Sequence, residues 1–377
     1  MPSRDLWTSE NEEYIAHEYE KLGMAIERAH GEFDIIDDDF ILSAEIADGA
    51  FKIGFSKYSE IWFSPCENLS DKVRERLSEF VNCGGKIYCI NDSISPKIGG
   101  AIPVDNISEY VKPLIKCIPE NENILAMKRS SKNEDIYYVF NEGTETLKLN
   151  LVFENDNTLY IPDLETGNIY ISDAKVENGK TIISEEILSG EMKVYIFSNN
   201  KIEKAITLPI LPQNLYSEIT KFNLRPVRSF VIGKHLFESH DLNEDEKIVS
   251  CGDWQDILGK EFSGDAIYSF NFEKPNSSEI MLDFGQVNYS CELFINGKSY
   301  GIKCMPPYSY IIDTSELFND NKAELRVSNT SANQFVYTKE FDDYSDGQKG
   351  PYQERSINFE KDSLESGLIG PVKIFVK

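Results

Sequence analysis

The sequence predicts a multidomain chain, an α/β portion followed by two all-β portions. Three observations carry this. Between residues 12 and 90, runs with helical spacing alternate with short strand-like runs. Between 124 and 197, strand-like runs follow one another directly. Between 279 and 329, apolar residues recur at every second position, broken by Gly, Asn-Gly and Pro-Pro. The first pattern marks a parallel sheet with helices on its faces, and the other two mark antiparallel sandwiches.

The α/β portion is read over residues 1–120. Ser9-Glu10-Asn11-Glu12 forms a capping box. Ile15, Tyr19, Leu22 and Ile26 then share one helix face, and Gly31 stands where a left-handed stop is expected. Phe33–Ile36 reads as a strand, and Asp48-Gly49 as the turn of a hairpin. Glu60–Phe63 is a short apolar run that ends at Pro65. A second helix places Val73, Leu77, Phe80 and Val81 inward and stops at Gly84-Gly85, before the strand Lys86–Ile90.

The second portion, 121–205, carries strands at Ile124–Arg129, Asp135–Asn141, Leu147–Leu151 and Met192–Phe197. Turn residues separate them, which predicts a small antiparallel sandwich. The third portion, 206–377, opens with Pro209 and Pro212. Its core runs from Glu279 to Thr330: Leu293 and Ile295 alternate with Phe294, and Leu325 and Val327 with Glu324 and Arg326. Asn296-Gly297 is a hairpin signal, because a type I′ turn needs positive φ at both central residues.

Composition excludes several roles. The hydrophobic fraction is 41% and the aromatic fraction 12%, enough for packed cores. The net charge is −26, from 64 acidic and 38 basic residues. Such a surface repels phosphate backbones and anionic lipid, so neither nucleic acid nor membrane is expected as a partner. A neutral sugar is indifferent to that field. The seven cysteines are scattered without a C-x-x-C pair and read as free thiols in a cytoplasmic protein. No apolar run approaches the roughly 18 residues of a membrane helix.

Catalytic motifs fail on inspection. Ser64-Pro65-Cys66-Glu67 lacks the flanking glycines of a nucleophile elbow, so Cys66 reads as structural. No G-x-G-x-x-G follows a strand. Gly297-Lys298-Ser299 imitates the end of a P-loop, but Glu292 stands where its first Gly belongs. The four histidines, His17, His30, His235 and His240, are dispersed.

Five pieces in order between Phe262 and Val372 carry a resemblance: Phe262-Ser263-Gly264-Asp265-Ala266-Ile267-Tyr268, Leu282-Asp283-Phe284-Gly285-Gln286-Val287, Ile295-Asn296-Gly297-Lys298, Pro306-Pro307-Tyr308 and Ser366-Gly367-Leu368-Ile369-Gly370-Pro371-Val372. Together this stretch resembles the galactose-binding-like jelly roll, or sugar-binding domain, of large glycoside hydrolases, the family 106 α-L-rhamnosidases and family 2 among them. Asp163-Leu164-Glu165-Thr166-Gly167 is similar to a turn of the same chains. The N-terminal portion resembles their glutamine-amidotransferase-like domain, a flavodoxin-like parallel sheet. That sheet normally opens with a strand, and none precedes the first helix here. Met1-Pro2-Ser3 occupies its place, which predicts the C-terminal part of a longer enzyme or one half of a split gene.

The resemblance implies an accessory role in carbohydrate breakdown. The family's catalytic carboxylates lie on a (β/α)₈ barrel upstream of everything present here, and such a barrel needs about 250 residues. No catalytic residue, no metal ligand and no cofactor is therefore assigned. The expected partners are carbohydrate or a catalytic barrel. Candidate carbohydrate-binding residues are Trp254, Tyr308, Asn329, Asn333, Gln334 and Tyr337, several of them in the polar, aromatic loop 329–365. Amides and phenols pair with sugar hydroxyls, and aromatic faces pack on sugar rings. Trp254 reads as core ahead of a sugar-stacking platform, because Trp is usually largely buried. Where the family has Trp and Arg, this loop has Ser331 and Gln334. Asp342, Asp343 and Asp346 read as solvated acids, with structural Ca²⁺ as the alternative. Two other roles stand beside the leading one: a free-standing carbohydrate-binding module, and an oligomerisation scaffold.

Overall fold

The computed structural model describes residues 11–232, 237–337 and 364–377. The chain divides into two compact units, Met1–Leu208 and Pro209–Lys377. Among the described residues, no helix is long and apolar enough to cross a membrane.

The first unit holds two hydrophobic cores. Its first helix, Glu12–Arg28, buries Ile15, Leu22 and Ile26, the face that the spacing predicts. The stop differs by one residue. His30, not Gly31, takes the left-handed conformation, at φ 56°. Gly31 is required for space instead: a Cβ there would lie 2.7 Å from Val111 and 2.8 Å from Ile26. Phe33–Ile36 is not assigned as a strand, and a short helix, Asp38–Ser43, follows, capped by Asp37. The hairpin Glu45–Ala47/Ala50–Ile53 turns on Asp48 and Gly49, both at positive φ.

Strands Glu60–Phe63, Lys86–Ile90 and Ile102–Val104 form a parallel sheet. The helix Asp71–Asn82 between the first two is capped by Ser70 and buries Val73, Leu77 and Phe80. Phe80 stacks on Phe51 with ring centroids 4.5 Å apart. Gly84, at φ 98°, ends the helix, and Gly85 beside it makes room for Phe80, whose ring a Cβ there would meet at 2.3 Å. Cys66 is buried.

The second core lies between two sheets. One runs Lys175–Glu177, Lys180–Ile187, Leu147–Phe153, Ile115–Ile118. The other runs Ile206–Thr207, Ile169–Ile171, Thr158–Pro162, Met192–Ser198, Glu134–Asn141, Ile124–Ser130. All pairs are antiparallel except Ile169–Ile171 with Ile206–Thr207. Tyr137, Phe153, Tyr195 and Phe197 pack ring on ring at its centre.

The second unit is an antiparallel sandwich. Asn214–Ile219, Val372–Val376, Glu279–Asp283 and Ser309–Asp313 form one sheet. Phe237–Asp241, Phe222–Ile232, Gly264–Glu273, Asp320–Ser328, Ser290–Ile295 and Lys298–Lys303 form the other. The alternation is real: Leu293, Ile295, Leu325 and Val327 lie in one core with Trp254, Tyr268, Leu282 and Ile374. Asn296 and Gly297 both have positive φ, as the hairpin requires.

Candidate functional site

The predicted sugar-binding residues all lie at or beside one end of this sandwich, and most of them face inward. Asp253 caps the short helix Trp254–Ile257 and accepts hydrogen bonds from Gln255 N at 3.0 Å and Ser366 N at 3.1 Å. Trp254 N donates to Ser366 O at 2.8 Å. The Trp254 side chain has 0% exposure. Its Nε1 donates to the Tyr268 hydroxyl at 2.6 Å, and its ring meets Phe262 edge-on at 5.3 Å. A Cβ on Gly367 would meet the indole at 2.5 Å. Trp254 is thus a core residue and presents no face to a sugar.

The amide nitrogens are also occupied, while the buried Asn333 Oδ1 has no hydrogen-bond partner among the described residues. Asn329 accepts from Gly264 N at 2.8 Å and donates to Phe262 O at 2.9 Å. Asn333, 1% exposed, donates to Lys260 O at 3.2 Å and Leu364 O at 3.1 Å. Gln334 donates to Glu261 O at 2.5 Å. Tyr308 is buried and donates to Tyr289 O at 2.6 Å. Only Tyr337 stays partly open, donating to Gln255 Oε1 at 3.1 Å. The structure buries Trp254, Tyr308, Asn329, Asn333 and Gln334, each named above as a candidate sugar contact. A buried amide satisfies backbone groups that water cannot reach, and here the amides tie the 259–264 turn to the chain ends that flank it. Asp342, Asp343 and Asp346 lie outside the described residues. Among the described residues, no three His, Cys, Asp or Glu side chains are grouped as metal ligands.

A different set, exposed or partly exposed, lies beside that lock. Glu365 Oε2 accepts from Gln286 Nε2 at 2.9 Å and Asn288 Nδ2 at 3.1 Å. Tyr289 is 37% exposed. Its phenol is pushed up by burial first, then by the Glu365 and Asp253 carboxylates, so these groups share one neighbourhood. Gln255 Nε2 bonds Asp253 Oδ2 at 2.9 Å and brings Tyr337 to the same rim. The strand Gln286–Asn288, paired with Gly367–Gly370, holds the two amides opposite the carboxylate. The rim therefore offers an aromatic ring, neutral donors and carboxylate acceptors.

The sequence reading missed Gln286, Asn288, Tyr289 and Glu365. One signal was present. The buried positions Val287, Cys291, Leu293 and Ile295 put Tyr289 in the inward phase, yet it turns out.

No family model and no curated protein matches this sequence. Solved structures do. A rhamnosidase from Novosphingobium sp. PP1Y superposes over 90% of this chain with a TM-score of 0.57 at 17% identity. The match covers 36% of the rhamnosidase, so the chain spans about a third of that protein's length. A β-galacturonidase from Eisenbergiella tayi (TM-score 0.27, 15% identity, 45% of this chain, 25% of that one) is similar in part. So is a β-glucuronidase from Faecalibacterium prausnitzii (0.29, 10%, 45%, 32%). The superposition on the rhamnosidase shows a shared fold over nine-tenths of this chain.

Proposed function

We propose that this chain is the accessory region of an α-L-rhamnosidase-like glycoside hydrolase, acting in carbohydrate breakdown in the cytoplasm. In this reading residues 1–120 are a flavodoxin-like, glutamine-amidotransferase-like domain. Residues 121–205 are a small sandwich, and 206–377 a galactose-binding-like jelly roll. The observation that supports it most is the superposition on a rhamnosidase over nine-tenths of the chain. The seven free thiols agree with a reducing compartment.

The sandwich recognises a saccharide at the rim of Gln286, Asn288, Tyr289 and Glu365. Tyr289 packs on a sugar face, and the amides and carboxylate pair with its hydroxyls. The bond-breaking carboxyl groups belong to a catalytic barrel, which this chain supports. Glycosidic cleavage needs two carboxyl groups about 5 to 10 Å apart across the scissile bond, and no such pair is assigned here.

Calorimetry with rhamnose-containing oligosaccharides tests the reading. Weak binding is expected, lost in Tyr289→Ala and reduced in Glu365→Gln, with both variants as stable as the parent. Release of nitrophenol from an aryl rhamnoside by this chain alone would overturn the accessory role. Saccharide binding indifferent to Tyr289→Ala would overturn the site.

A further inference from the structure

The smaller sheet of the second unit carries an apolar row on the face turned away from the core. Ile280, Leu282, Val372 and Ile374 point into the sandwich. Side chains alternate along a strand, so Met281 and Phe375 point out. The register lines four outward residues up across the whole sheet. Leu215 stands opposite Phe375, Phe375 opposite Met281, and Met281 opposite Ile311. Leu215 is 57% exposed and Ile311 45%. Met281 and Phe375 are partly exposed.

Outward residues of a sandwich are ordinarily polar. The larger sheet of the same unit keeps that rule: its outward row of Arg225, Ile267, Arg326 and Glu292 has one apolar member. An exposed apolar patch rimmed by polar residues marks a protein interaction site. Charge rims the apolar row on both sides. On one side Lys373 stands opposite Asp283. On the other Lys377 pairs with Glu279. Each lysine comes from the C-terminal strand or the residue that follows it, and each acid from the strand Glu279–Asp283.

This pattern is complementary to itself. Two sheets pack face to face with their strands nearly aligned, about 10 Å apart. A two-fold axis can then run in either of two directions. With the axis along the apolar row, Lys373 faces Lys377 of the second copy and Asp283 faces its Glu279. Like charges set face to face oppose association. With the axis parallel to the strands, midway between Val372–Val376 and Glu279–Asp283, the order of the strands reverses. Lys373 then faces Asp283 of the second copy, and Lys377 faces its Glu279. Phe375 faces its Met281, a favourable pairing of ring and thioether, and Leu215 faces its Ile311.

We infer that this face is the interface of a two-fold dimer of the chain, with the axis parallel to the strands. The net charge of −26 permits it, because charges outside the face are screened beyond about 8 Å at physiological salt. Strand spacing and rise give a face of about 15 by 17 Å. That is well below the roughly 800 Å² per partner of a standard interface, so the dimer is reversible. The inference stands apart from saccharide binding at the rim.

Sedimentation velocity of the full 377-residue chain tests it, from about 1 to 100 μM in about 0.15 M salt. A monomer–dimer equilibrium is expected. Met281→Lys and Ile311→Lys each put a charge into the apolar row and should weaken the dimer about tenfold or more. Ile311→Lys, at the more exposed position, decides the matter if the Met281 variant fails to fold. Glu279→Lys leaves two lysines at one rim, and Lys377→Glu leaves two carboxylates there. Each variant alone should associate about tenfold or more weakly than the parent. An equimolar mixture of the two should recover association as a heterodimer, because this axis sets the same rim of both copies face to face. A monomer throughout that range overturns the proposal and leaves the row to a different polypeptide. A dimer indifferent to the row substitutions, or a mixture that recovers nothing, overturns it as well.

Discussion

Asn329→Ala separates a structural amide from a ligand-binding one. Asn329 Oδ1 accepts from the buried Gly264 N–H at 2.8 Å, and Nδ2 donates to Phe262 O at 2.9 Å. Alanine removes both bonds and leaves the Gly264 donor in a place water does not reach. The Phe262 carbonyl is only partly buried and recovers a partner from solvent. Two neutral bonds contribute about 1 kcal/mol each, and the orphaned donor costs about 1 to 2 kcal/mol more. The expected loss is therefore about 2 to 4 kcal/mol. For a unit of this size each kcal/mol lowers Tm by about 2 to 4 °C, so the transition should fall by roughly 5 to 15 °C. Calorimetry reads it, with labelling of the buried Cys291 thiol to identify the transition of the second unit. Saccharide affinity of the folded variant should change little. An unaltered transition with binding abolished would falsify the clamp and return Asn329 to the ligand.

Three further outcomes are expected. Gly367→Ala places a Cβ 2.5 Å from the Trp254 indole at a φ of 99°, so it should destabilise the second unit by about 2 to 4 kcal/mol and shift the tryptophan emission. Burial pushes the Tyr268 phenol up to about 12 and the Cys117 thiol up to about 12, from their ordinary values of 10.0 and 9.0. The unfolded chain loses these protons first as pH rises, so the stabilisation is complete below about pH 9 and declines from there toward pH 12 in Tm against pH. Asn333→Ala, at a residue too buried to touch a ligand, should weaken saccharide binding several-fold through its released partner Leu364 O; unchanged affinity in the calorimeter would disconnect the lock from the rim.

What the sequence made legible was local. Helix faces, the Asp48-Gly49 and Asn296-Gly297 turns and the alternation of Leu293 with Ile295 depend on neighbours within a few residues, and each holds. What it hid depends on distant contacts. The amides of Asn329 and Gln334 spend their hydrogen bonds on backbone 65 and 73 residues away, and nothing near them in sequence says so. A polar, aromatic stretch looks the same whether its amides face a sugar or a buried carbonyl. Phe33–Ile36 carries a strand's pattern, but a strand is a pairing, and no described strand lies beside it. Gly31 was legible as a required glycine for the wrong reason: the chain needs its missing side chain, while His30 supplies the left-handed turn.

The recurring pieces of the C-terminal stretch act on the rim through the residue between them. Ser366 bonds Asp253 and Trp254, and Gly367 makes room for the indole. Glu365 sits directly before them, and Leu364 O on its other side is held by Asn333. The backbone is therefore fixed on both sides of the one carboxylate that receives Gln286 and Asn288. Those amides come from a strand paired to Gly367–Gly370, the next residues of the same run. A core tryptophan, a glycine without room for a methyl group and two buried amides thus set where one partly exposed acid stands. Sequence similarity concentrated in such a lock marks a position that is held rather than a ligand that is named. Two chains can share the lock and read different sugars through the few rim side chains it presents.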